Sequence, residues 1–230
     1  MSETAQVSTI AIVGGGPAGL MAAEVLATAR HRVTIYDRMP TLGRKLLMAG
    51  RGGLNLTHAE PLETFLLRYG DATPWLEPII RHFPPDTVRA WADGLGAETF
   101  VGSSGRVFPK AMKASHLLRA WLRRLSERDV VLQTSWNWRG FDPSSMTLSF
   151  ETSQGVMTIQ TDGVVLALGG ASWPRLGSDG AWHDTLVHAG IDVAPLRPSN
   201  CGISIGWSPH MMARMTDLAG QPLKRIALTC

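Results

Sequence analysis

The sequence has little of what marks secreted or metal-dependent proteins. It contains two cysteines, Cys201 and Cys230, among 230 residues, and they form neither a Cys-x-x-Cys pair nor a zinc pattern. This argues against a dithiol reductase and fits a reducing, cytoplasmic location. His183, Asp184 and His188 are the best metal candidates, but the two histidines are poorly spaced for one helix face, so we predict no metal.

Long apolar runs and an excess of one charge are also absent. The uncharged stretch Ile10–Ala23 contains several glycines and a proline, follows no basic segment and is too short to span a bilayer. The 22 basic and 19 acidic residues give a net charge of +3, which predicts neither nucleic-acid nor membrane binding. The 44% hydrophobic content predicts a globular protein of one or two domains.

The most informative pattern lies near the N-terminus. Thr9–Val13 is a short aliphatic run typical of a buried strand, Leu20–Ala29 is helix-forming, and Arg32–Tyr36 predicts a second strand. Strand, glycine-rich turn, helix and strand within about 30 residues predict a βαβ unit. Such a unit implies a parallel sheet with a right-handed crossover.

The turn of this unit matches Gly-x-Gly-x-x-Gly. Gly14 permits the tight turn, Gly16 lets the backbone approach a pyrophosphate, and Gly19 allows the helix to pack near the strand. The helix N-terminus offers free N–H groups and a partial positive charge. We therefore predict that a dinucleotide diphosphate binds along the whole turn, which comprises Gly14, Gly15, Gly16, Pro17, Ala18 and Gly19.

An acid follows the second strand. Asp37 can accept hydrogen bonds from a ribose 2′-hydroxyl and would repel a 2′-phosphate. Arg38 lies beside it and could bind a 2′-phosphate, so a phosphorylated ribose stays an alternative. The turn and the acid together predict nucleotide binding but do not distinguish FAD from NAD.

Two further glycine-containing segments favour FAD. The first, Thr41–Thr57, is predicted to be a long loop, whose backbone and basic side chains suit a pyrophosphate or a flavin edge. A surface loop with solvated charges is the alternative. Its candidate cofactor contacts are Gly43, Lys45, Gly50, Arg51, Gly52, Asn55 and Thr57.

The second segment is an apolar strand, Gly163–Leu168, that ends in Gly169 and Gly170. In a parallel sheet both glycines would reach the carboxyl edge, close to the Gly14 turn. A plain core strand with a turn is the alternative. If the first interpretation holds, Gly169 and Gly170 also contact the cofactor.

The rest of the chain predicts an α/β frame with added β structure. Glu98–Phe108 is typical of a hairpin, Ser115–Arg128 of an amphipathic helix, and Asp129–Gln160 of several short strands. We predict a Rossmann-like FAD-binding domain with a β-meander over residues 1–194. Residues 195–230 would begin a truncated β-rich second domain that stops in a strand, Arg225–Cys230.

Several motifs together resemble one bacterial flavoprotein family, whose members are described as NAD(P)/FAD-dependent oxidoreductases or aminoacetone-oxidase-family FAD-binding enzymes. A relative in it reduces bile-acid enones. The motifs are the Ile12–Ala23 turn, Gly43–Gly50, Asn55–Thr57, Arg106–Pro109 and Leu166–Gly177.

The resemblance implies a Rossmann-like FAD domain interrupted by a mostly β domain. On that pattern Asp37 replaces the more usual glutamate at the adenosine ribose. A strand residue near Trp138 would contact the adenine through its backbone. Such flavoproteins return to the first domain near the C-terminus, and residues after 195 supply no such segment, so the chain is expected to be part of a longer protein.

We therefore predict an FAD-dependent oxidoreductase that passes a hydride between a small-molecule substrate and the flavin. Amine oxidation and enone reduction both fit, NAD(P)H is a candidate electron donor, and no protein nucleophile or acid is identifiable as catalytic. The cofactor carries this chemistry, while the protein binds and orients it. An NAD(P)-dependent dehydrogenase, a non-catalytic flavin-binding protein and an RNA-modifying enzyme are the alternatives, although nucleic acid is not an expected partner.

Overall fold

The computed structural model describes residues 6–50, 52–197 and 206–215. The chain divides into two compact units, Met1–Ala194 and Pro195–Cys230. The first unit carries all the strands in the described residues. They are β1 (Thr9–Val13), β2 (Arg32–Asp37), β3 (Thr57–His58), β4 (Thr99–Val101), β5 (Arg106–Pro109), β6 (Val131–Thr134), β7 (Asn137–Asp142), β8 (Thr147–Thr152), β9 (Gly155–Gln160) and β10 (Gly163–Leu166).

The described residues also form α-helices. They are α1 (Pro17–Thr28), α2 (Arg44–Ala49), α3 (Leu62–Leu67), α4 (Thr73–His82), α5 (Pro85–Asp93), α6 (Ala114–Ser126) and α7 (Trp182–His188) in the first unit, with α8 (Pro209–Met215) in the second. In the second unit the described residues 206–215 hold only α8. The predicted strand Arg225–Cys230 and most of the predicted β-rich domain fall outside the described residues, so both stay predictions.

The central sheet is parallel, with strand order β10-β1-β2-β6. An antiparallel meander, β7-β8-β9, forms a separate sheet, and β3-β5-β4 forms a third. The Rossmann-like fold with a parallel sheet and a β-meander is thus confirmed. The hairpin predicted for Glu98–Phe108 is also present, as the antiparallel pair β4 and β5.

Alternation along β1 explains the layers. Ile12 faces a core that it shares with Leu20 of α1 and Leu125 of α6. Ala11 and Val13 point to the other side, where they pack with Leu148 and Phe150 of the meander. Because side chains alternate along a strand, helices α1 and α6 pack on one face of the parallel sheet and the meander packs on the other.

A buried carboxylate fixes α1 against the other helices. Glu24 accepts hydrogen bonds from the indoles of Trp91 (3.0 Å) and Trp121 (2.7 Å) and from Arg124 (2.9 Å) and Arg128 (3.1 Å). Burial raises the pKa of Glu24, but these donors outweigh it and hold the pKa below its ordinary value. The carboxylate therefore stays charged and anchors the helix that follows the turn.

Two helix boundaries differ from the sequence-based prediction. Helix α1 begins at Pro17, three residues before the predicted start, because proline is preorganised for the first helical position. The segment Thr41–Thr57 is not one long loop, since Arg44–Ala49 forms α2 after Gly43 turns the chain at a φ of +66°. The run Arg-Lys-Leu-Leu-Met-Ala consists of good helix formers, a preference that the flanking glycines concealed.

Candidate functional site

A cavity of about 810 Å³ lies at the carboxyl edge of the parallel sheet, directly over the Gly14–Gly19 turn. We call it the turn cavity. Its volume lies in the usual range for small-molecule sites. It is walled by the turn itself, the end of β2, helix α2, the start of β7 and the segment after β10. In open α/β sheets ligands bind at this edge.

The glycines of the turn serve different purposes. A Cβ on Gly14 (φ +110°) would lie 2.2 Å from the Ala167 carbonyl oxygen, and one on Gly19 would lie 1.9 Å from the Gly14 oxygen. Both positions are therefore closed by the protein's own backbone. A Cβ on Gly16 would meet nothing within 4 Å. The chain thus leaves open space at the one turn glycine where the sequence predicts a close approach to a ligand.

The first turn of α1 points its positive end into this space. Gly16 is the N-cap in extended conformation, no side chain caps the helix, and Pro17 occupies the first turn. Pro17 and Ala18 both line the turn cavity. Uncapped N–H groups and the helix dipole make such an end a binding site for anions.

Asp37 joins the end of β2 to the turn. Its Oδ2 accepts the Gly15 N–H at 2.6 Å and its Oδ1 accepts the Met39 N–H at 2.7 Å. Each carboxylate oxygen can accept a second hydrogen bond. Asp37 lines the cavity and is therefore held ready to accept hydroxyl groups of a ligand.

Helix α2 contributes two cations. Lys45 Nζ donates to the hydroxyls of Ser172 (2.8 Å) and Ser178 (3.2 Å), and Arg44 donates to the Thr41 hydroxyl (3.3 Å). Neither cation pairs with a carboxylate in the part of the chain that the structure describes. The Gly43 N–H donates to the Gly15 oxygen at 2.9 Å, so α2 is tied to the turn. Two cations beside a helix N-terminus favour an anionic ligand.

A third cation is neutralised. Arg38 donates to Asp179 Oδ2 at 2.8 Å, and this contact lowers the pKa of Asp179 below its ordinary value. Asp179 also accepts the Ala181 N–H at 3.1 Å, at the start of α7. Arg38 therefore ties the end of β2 to α7 across one end of the cavity.

The opposite wall is aromatic. Tyr36 stacks on Phe150 with ring centroids 4.6 Å apart, and its ring lies 5.1 Å from that of Trp136. Burial raises the pKa of Tyr36, so it stays a neutral phenol at physiological pH. The segment that leads into β7 lies beside the end of β2, because the backbone N–H of Trp136 donates to the backbone carbonyl oxygen of Asp37 at 3.0 Å.

Several buried polar side-chain atoms find no hydrogen-bond partner among the residues that the structure describes. They are Arg38 Nε, Arg44 Nε, Trp138 Nε1, Trp182 Nε1 and His183 Nε2. All except His183 belong to residues that line the turn cavity. A buried donor left unpaired costs about 1–3 kcal/mol.

The structure brings many of the predicted site residues together. Those that line the turn cavity are Gly14, Gly15, Gly16, Pro17, Ala18, Asp37, Arg38, Gly43, Lys45, Trp138 and Gly169.

The remaining predicted site residues that the structure describes do not line the turn cavity. Gly19 packs beneath the turn, the Gly170 oxygen accepts the Ser178 hydroxyl at 2.6 Å, and a Cβ on Gly50 would lie 2.6 Å from that of Ala114. Thr57 pairs with Val107 in β3 and β5, and Gly52 and Asn55 are exposed. Arg51 lies outside the described residues. For these residues a cofactor contact stays a prediction.

The sequence-based prediction missed several wall residues. These are Met39, Arg44, Trp136, Asn137, Arg139, Ser178, Asp179, Trp182 and Thr185. Arg44 adjoins the predicted Lys45, and Asp179 follows the Leu166–Gly177 motif closely, so both could have been included. Trp182 and Thr185 carry no local signal, because only the meeting of α7 with β7 brings them to the cavity.

The part of the chain that the structure describes contains no group of three or more His, Cys, Asp or Glu side chains that could hold a metal ion. His183 Nδ1 lies 3.2 Å from Asp184 Oδ1, and His188 Nδ1 lies 2.6 Å from the Asp184 carbonyl oxygen. None of the helices found in these ranges combines the length and apolar character needed to cross a membrane.

Comparison with known proteins agrees with this geometry. The model of a family described as HI0933-like protein Rossmann domain matches residues 8–219. A 3-dehydro-bile acid delta(4,6)-reductase of Clostridium scindens is 26% identical over 211 residues, which cover 89% of this chain and 49% of that protein. The chain therefore spans about half the length of this curated relative.

Two other similarities are more limited. A ribosomal RNA dihydrouridine synthase of Haemophilus influenzae is 44% identical over 55 residues, which cover 24% of this chain and 14% of that protein. The solved structure of a 3-ketosteroid-delta4-(5alpha)-dehydrogenase from Rhodococcus jostii RHA1 superposes with a TM-score of 0.52 at 15% identity, covering 74% of this chain and 47% of that one. The latter likeness shows a shared fold.

Proposed function

We propose that this chain, which belongs to the HI0933-like Rossmann-domain family, binds FAD in the turn cavity and forms the cofactor-binding part of an FAD-dependent oxidoreductase. The open position at Gly16, over the uncapped start of α1, is the observation that carries the proposal. A diphosphate placed there would receive backbone N–H groups and the positive end of the helix dipole.

The residues around the cavity fit FAD. The diphosphate needs cations, which Arg44 and Lys45 supply from α2. The ribose needs an acceptor, which Asp37 supplies at the end of β2. The adenine needs a flat apolar wall, which the aromatic start of β7 supplies. The diphosphate, the ribose and the adenine thus each have a matching element along one continuous cavity.

An NAD(P)-dependent dehydrogenase is the nearest rival, because it would use the same turn. Helix α2, which the Gly43–Gly15 hydrogen bond holds against the turn, could serve the diphosphate of either dinucleotide. The Asp37 carboxylate disfavours the 2′-phosphate of NADP, and the Arg38 side chain that could offset this repulsion is paired with Asp179. Titrating FAD and NADH separately into the purified chain separates the two, and tighter binding of NADH would refute the proposal.

The flavin, when bound, supplies the hydride chemistry. The protein's part is to hold the cofactor and to place positive charge near it. Lys45, held by Ser172 and Ser178, is a fixed cation on the α2 wall, and preorganised charge of this kind stabilises negative charge that develops during a reaction.

We propose reduction of a conjugated carbon–carbon double bond as the reaction of the whole protein. The relative that covers 89% of this chain is named a reductase of a 3-dehydro-bile acid, which favours enone reduction over amine oxidation. NAD(P)H is the proposed electron donor, and a small organic enone is the proposed substrate. The proposed site of the reaction is cytoplasmic, and no metal is needed for this chemistry.

The proposal is tested on protein purified with its flavin. Under anaerobic conditions, NADH or NADPH should bleach the flavin absorbance, and a cyclic enone should restore it. A primary amine that reduces the flavin when no nicotinamide is present would instead support amine oxidation. Bound flavin that no donor reduces would show a non-catalytic flavin-binding protein and refute the enzymatic part of the proposal.

A second candidate is reduction of uridine in RNA. The observation that favours it is the similarity to a ribosomal RNA dihydrouridine synthase, since uridine also carries a double bond conjugated with a carbonyl. The net charge of +3 argues against an RNA surface, because nucleic-acid binding generally requires a basic patch. Reoxidation of the reduced flavin by ribosomal RNA, and not by small enones, would establish this candidate.

A further inference from the structure

The segment after β10 holds a buried serine that contacts the Lys45 ammonium. Ser178 is 4% exposed, and its hydroxyl oxygen lies 3.2 Å from Lys45 Nζ. Both residues line the turn cavity. Since Lys45 belongs to α2 and Ser178 follows β10, the lysine side chain spans two walls of the cavity. Its charged end therefore lies where these walls meet.

The Ser178 hydroxyl has one proton, and a backbone acceptor takes it. Ser178 donates this proton to the Gly170 carbonyl oxygen at 2.6 Å. A hydroxyl has one donor and two acceptor lone pairs, so the serine oxygen can only accept from Lys45. The two hydrogen bonds form a chain from the ammonium through the hydroxyl to the carbonyl, in which each bond polarises the next.

The backbone fixes the position of this oxygen independently of Lys45. The Ser178 N–H donates to the Trp173 oxygen at 3.2 Å, and the Trp173 N–H donates to the Ser178 oxygen at 3.1 Å. The turn between them closes at Gly177, whose φ of +94° favours glycine. Ser178 is therefore an acceptor in a fixed place, and removing its hydroxyl leaves both backbone hydrogen bonds available.

Lysine is a flexible cation that gains from such an acceptor. Its side chain loses much rotamer freedom when it is fixed, and holding it in the free protein removes this cost from ligand binding. The ammonium has three N–H donors. Ser172 accepts one at 2.8 Å and Ser178 accepts another, so one can still bind an anionic ligand.

We propose that Ser178 is a positioning residue, which holds the Lys45 ammonium in place for the diphosphate of the cofactor. This inference rests on the proposed function. Ser172 is exposed, so water can replace its hydroxyl as a partner of the ammonium. Water has little access to the buried Ser178. The buried serine therefore sets the place of the cation, and the exposed serine contributes less.

A double-mutant cycle of Lys45→Met and Ser178→Ala measures this coupling, with ADP as the probe because it carries the diphosphate without the flavin. Ser178→Ala should weaken ADP binding about threefold to tenfold, and less at high salt. In the Lys45→Met background the same change should have no effect, because the cation that the serine holds is gone. Ser172→Ala should weaken ADP binding less than Ser178→Ala does.

Thr161→Val is the matched control. Thr161 is also buried, at 7% exposed, and its hydroxyl also donates to a backbone carbonyl oxygen at 2.6 Å, that of Thr9. It precedes β10 and does not line the turn cavity. Both variants lose the same kind of hydrogen bond, so they should lose similar amounts of Tm, but only Ser178→Ala should change the affinity for ADP.

Ser178→Cys covers the case in which alanine lowers stability too far. It keeps the size of the side chain, but sulfur is a weak acceptor, so it should give the same pattern. Equal weakening of ADP binding with and without Lys45, or an effect that salt leaves unchanged, would show that the serine acts through the fold of its segment and would overturn the inference. So would an unchanged affinity for ADP in a folded Ser178→Ala variant.

The proposed function has a separate outcome. If the wild-type chain bound neither ADP nor FAD, the proposed function would fail, and this inference with it. A wild-type chain that bound both, without the predicted coupling between Ser178 and Lys45, would refute this inference alone.

Discussion

Replacing Gly16 with valine separates binding from folding most clearly. Gly16 has an extended backbone (φ −82°, ψ −178°) that any residue can adopt, and a Cβ there would meet no atom within 4 Å. The new side chain therefore enters the open space above the helix N-terminus and touches little of the protein. The same change at Gly14 or Gly19 would instead drive a side chain into backbone atoms 2.2 Å or 1.9 Å away and disrupt the fold.

The size of the effect follows from the contacts that the valine would block. A diphosphate held by the turn accepts charge-assisted hydrogen bonds from backbone N–H groups, each worth about 1.5–3 kcal/mol. Losing two of them weakens binding by roughly 3–6 kcal/mol, which is at least about 100-fold in the dissociation constant of FAD. The cost in stability should stay within about 1 kcal/mol, the usual range for a change of N-cap residue.

The assay is a fluorescence titration of FAD into the apoprotein, with thermal unfolding followed by circular dichroism. Gly206→Val is the matched control, since a Cβ on Gly206 also meets nothing within 4 Å and Gly206 belongs to the second unit. Gly16→Ala should have an intermediate effect on affinity. An unchanged affinity for FAD in a folded Gly16→Val variant would mean that the turn is not the diphosphate site, and the reasoning would be refuted.

Three further outcomes follow from charged residues of the first unit. Glu24→Gln leaves the guanidinium groups of Arg124 and Arg128 without a carboxylate; because both are partly exposed, we expect a loss of about 2 kcal/mol, seen as a fall of roughly 4–8 °C in Tm. Since the folded-state pKa of Glu24 lies below its ordinary value of 4.5, its stabilisation is complete above that pH and is lost as the pH falls through the folded-state pKa. Acid titration of Tm should show this loss in the wild type, and an identical profile in Glu24→Gln would contradict it. Lys45→Met should weaken FAD binding about tenfold at low salt and less at high salt with little change in Tm, and a salt-independent effect would exclude a charge contribution.

The local parts of the site could be predicted from the sequence because they depend on neighbouring residues. The turn, its helix and Asp37 lie within one βαβ unit, where glycine spacing and hydrophobic pattern determine the geometry. Helix α2 was missed because six helix-forming residues lie between glycines that indicated a loop. Both of its cations, Arg44 and Lys45, line the turn cavity, although only Lys45 was a predicted site residue.

The distant parts could not be predicted, since they depend on contacts between residues far apart in the chain. Arg38 and Asp179 are 141 positions apart, and Glu24 and Arg128 are 104 apart. In the sequence, Glu24 is simply the first charged residue after an uncharged stretch, and no local pattern predicts its arginine partners. A single sequence also does not show the β-bulge in the pairing of β7 with β8, where Arg139 is the extra residue, because strand alternation alone assigns Trp138 and Phe141 to opposite faces of the sheet.

The most direct measurement of the central claim is the visible absorbance of the purified chain after incubation with FAD and removal of free flavin by gel filtration. We expect the flavin bands to remain with the protein at about one FAD per chain, and excess ADP to displace the flavin, because the turn holds the diphosphate and the adenine end together. Protein that elutes without flavin absorbance, while still folded by circular dichroism, would contradict the account.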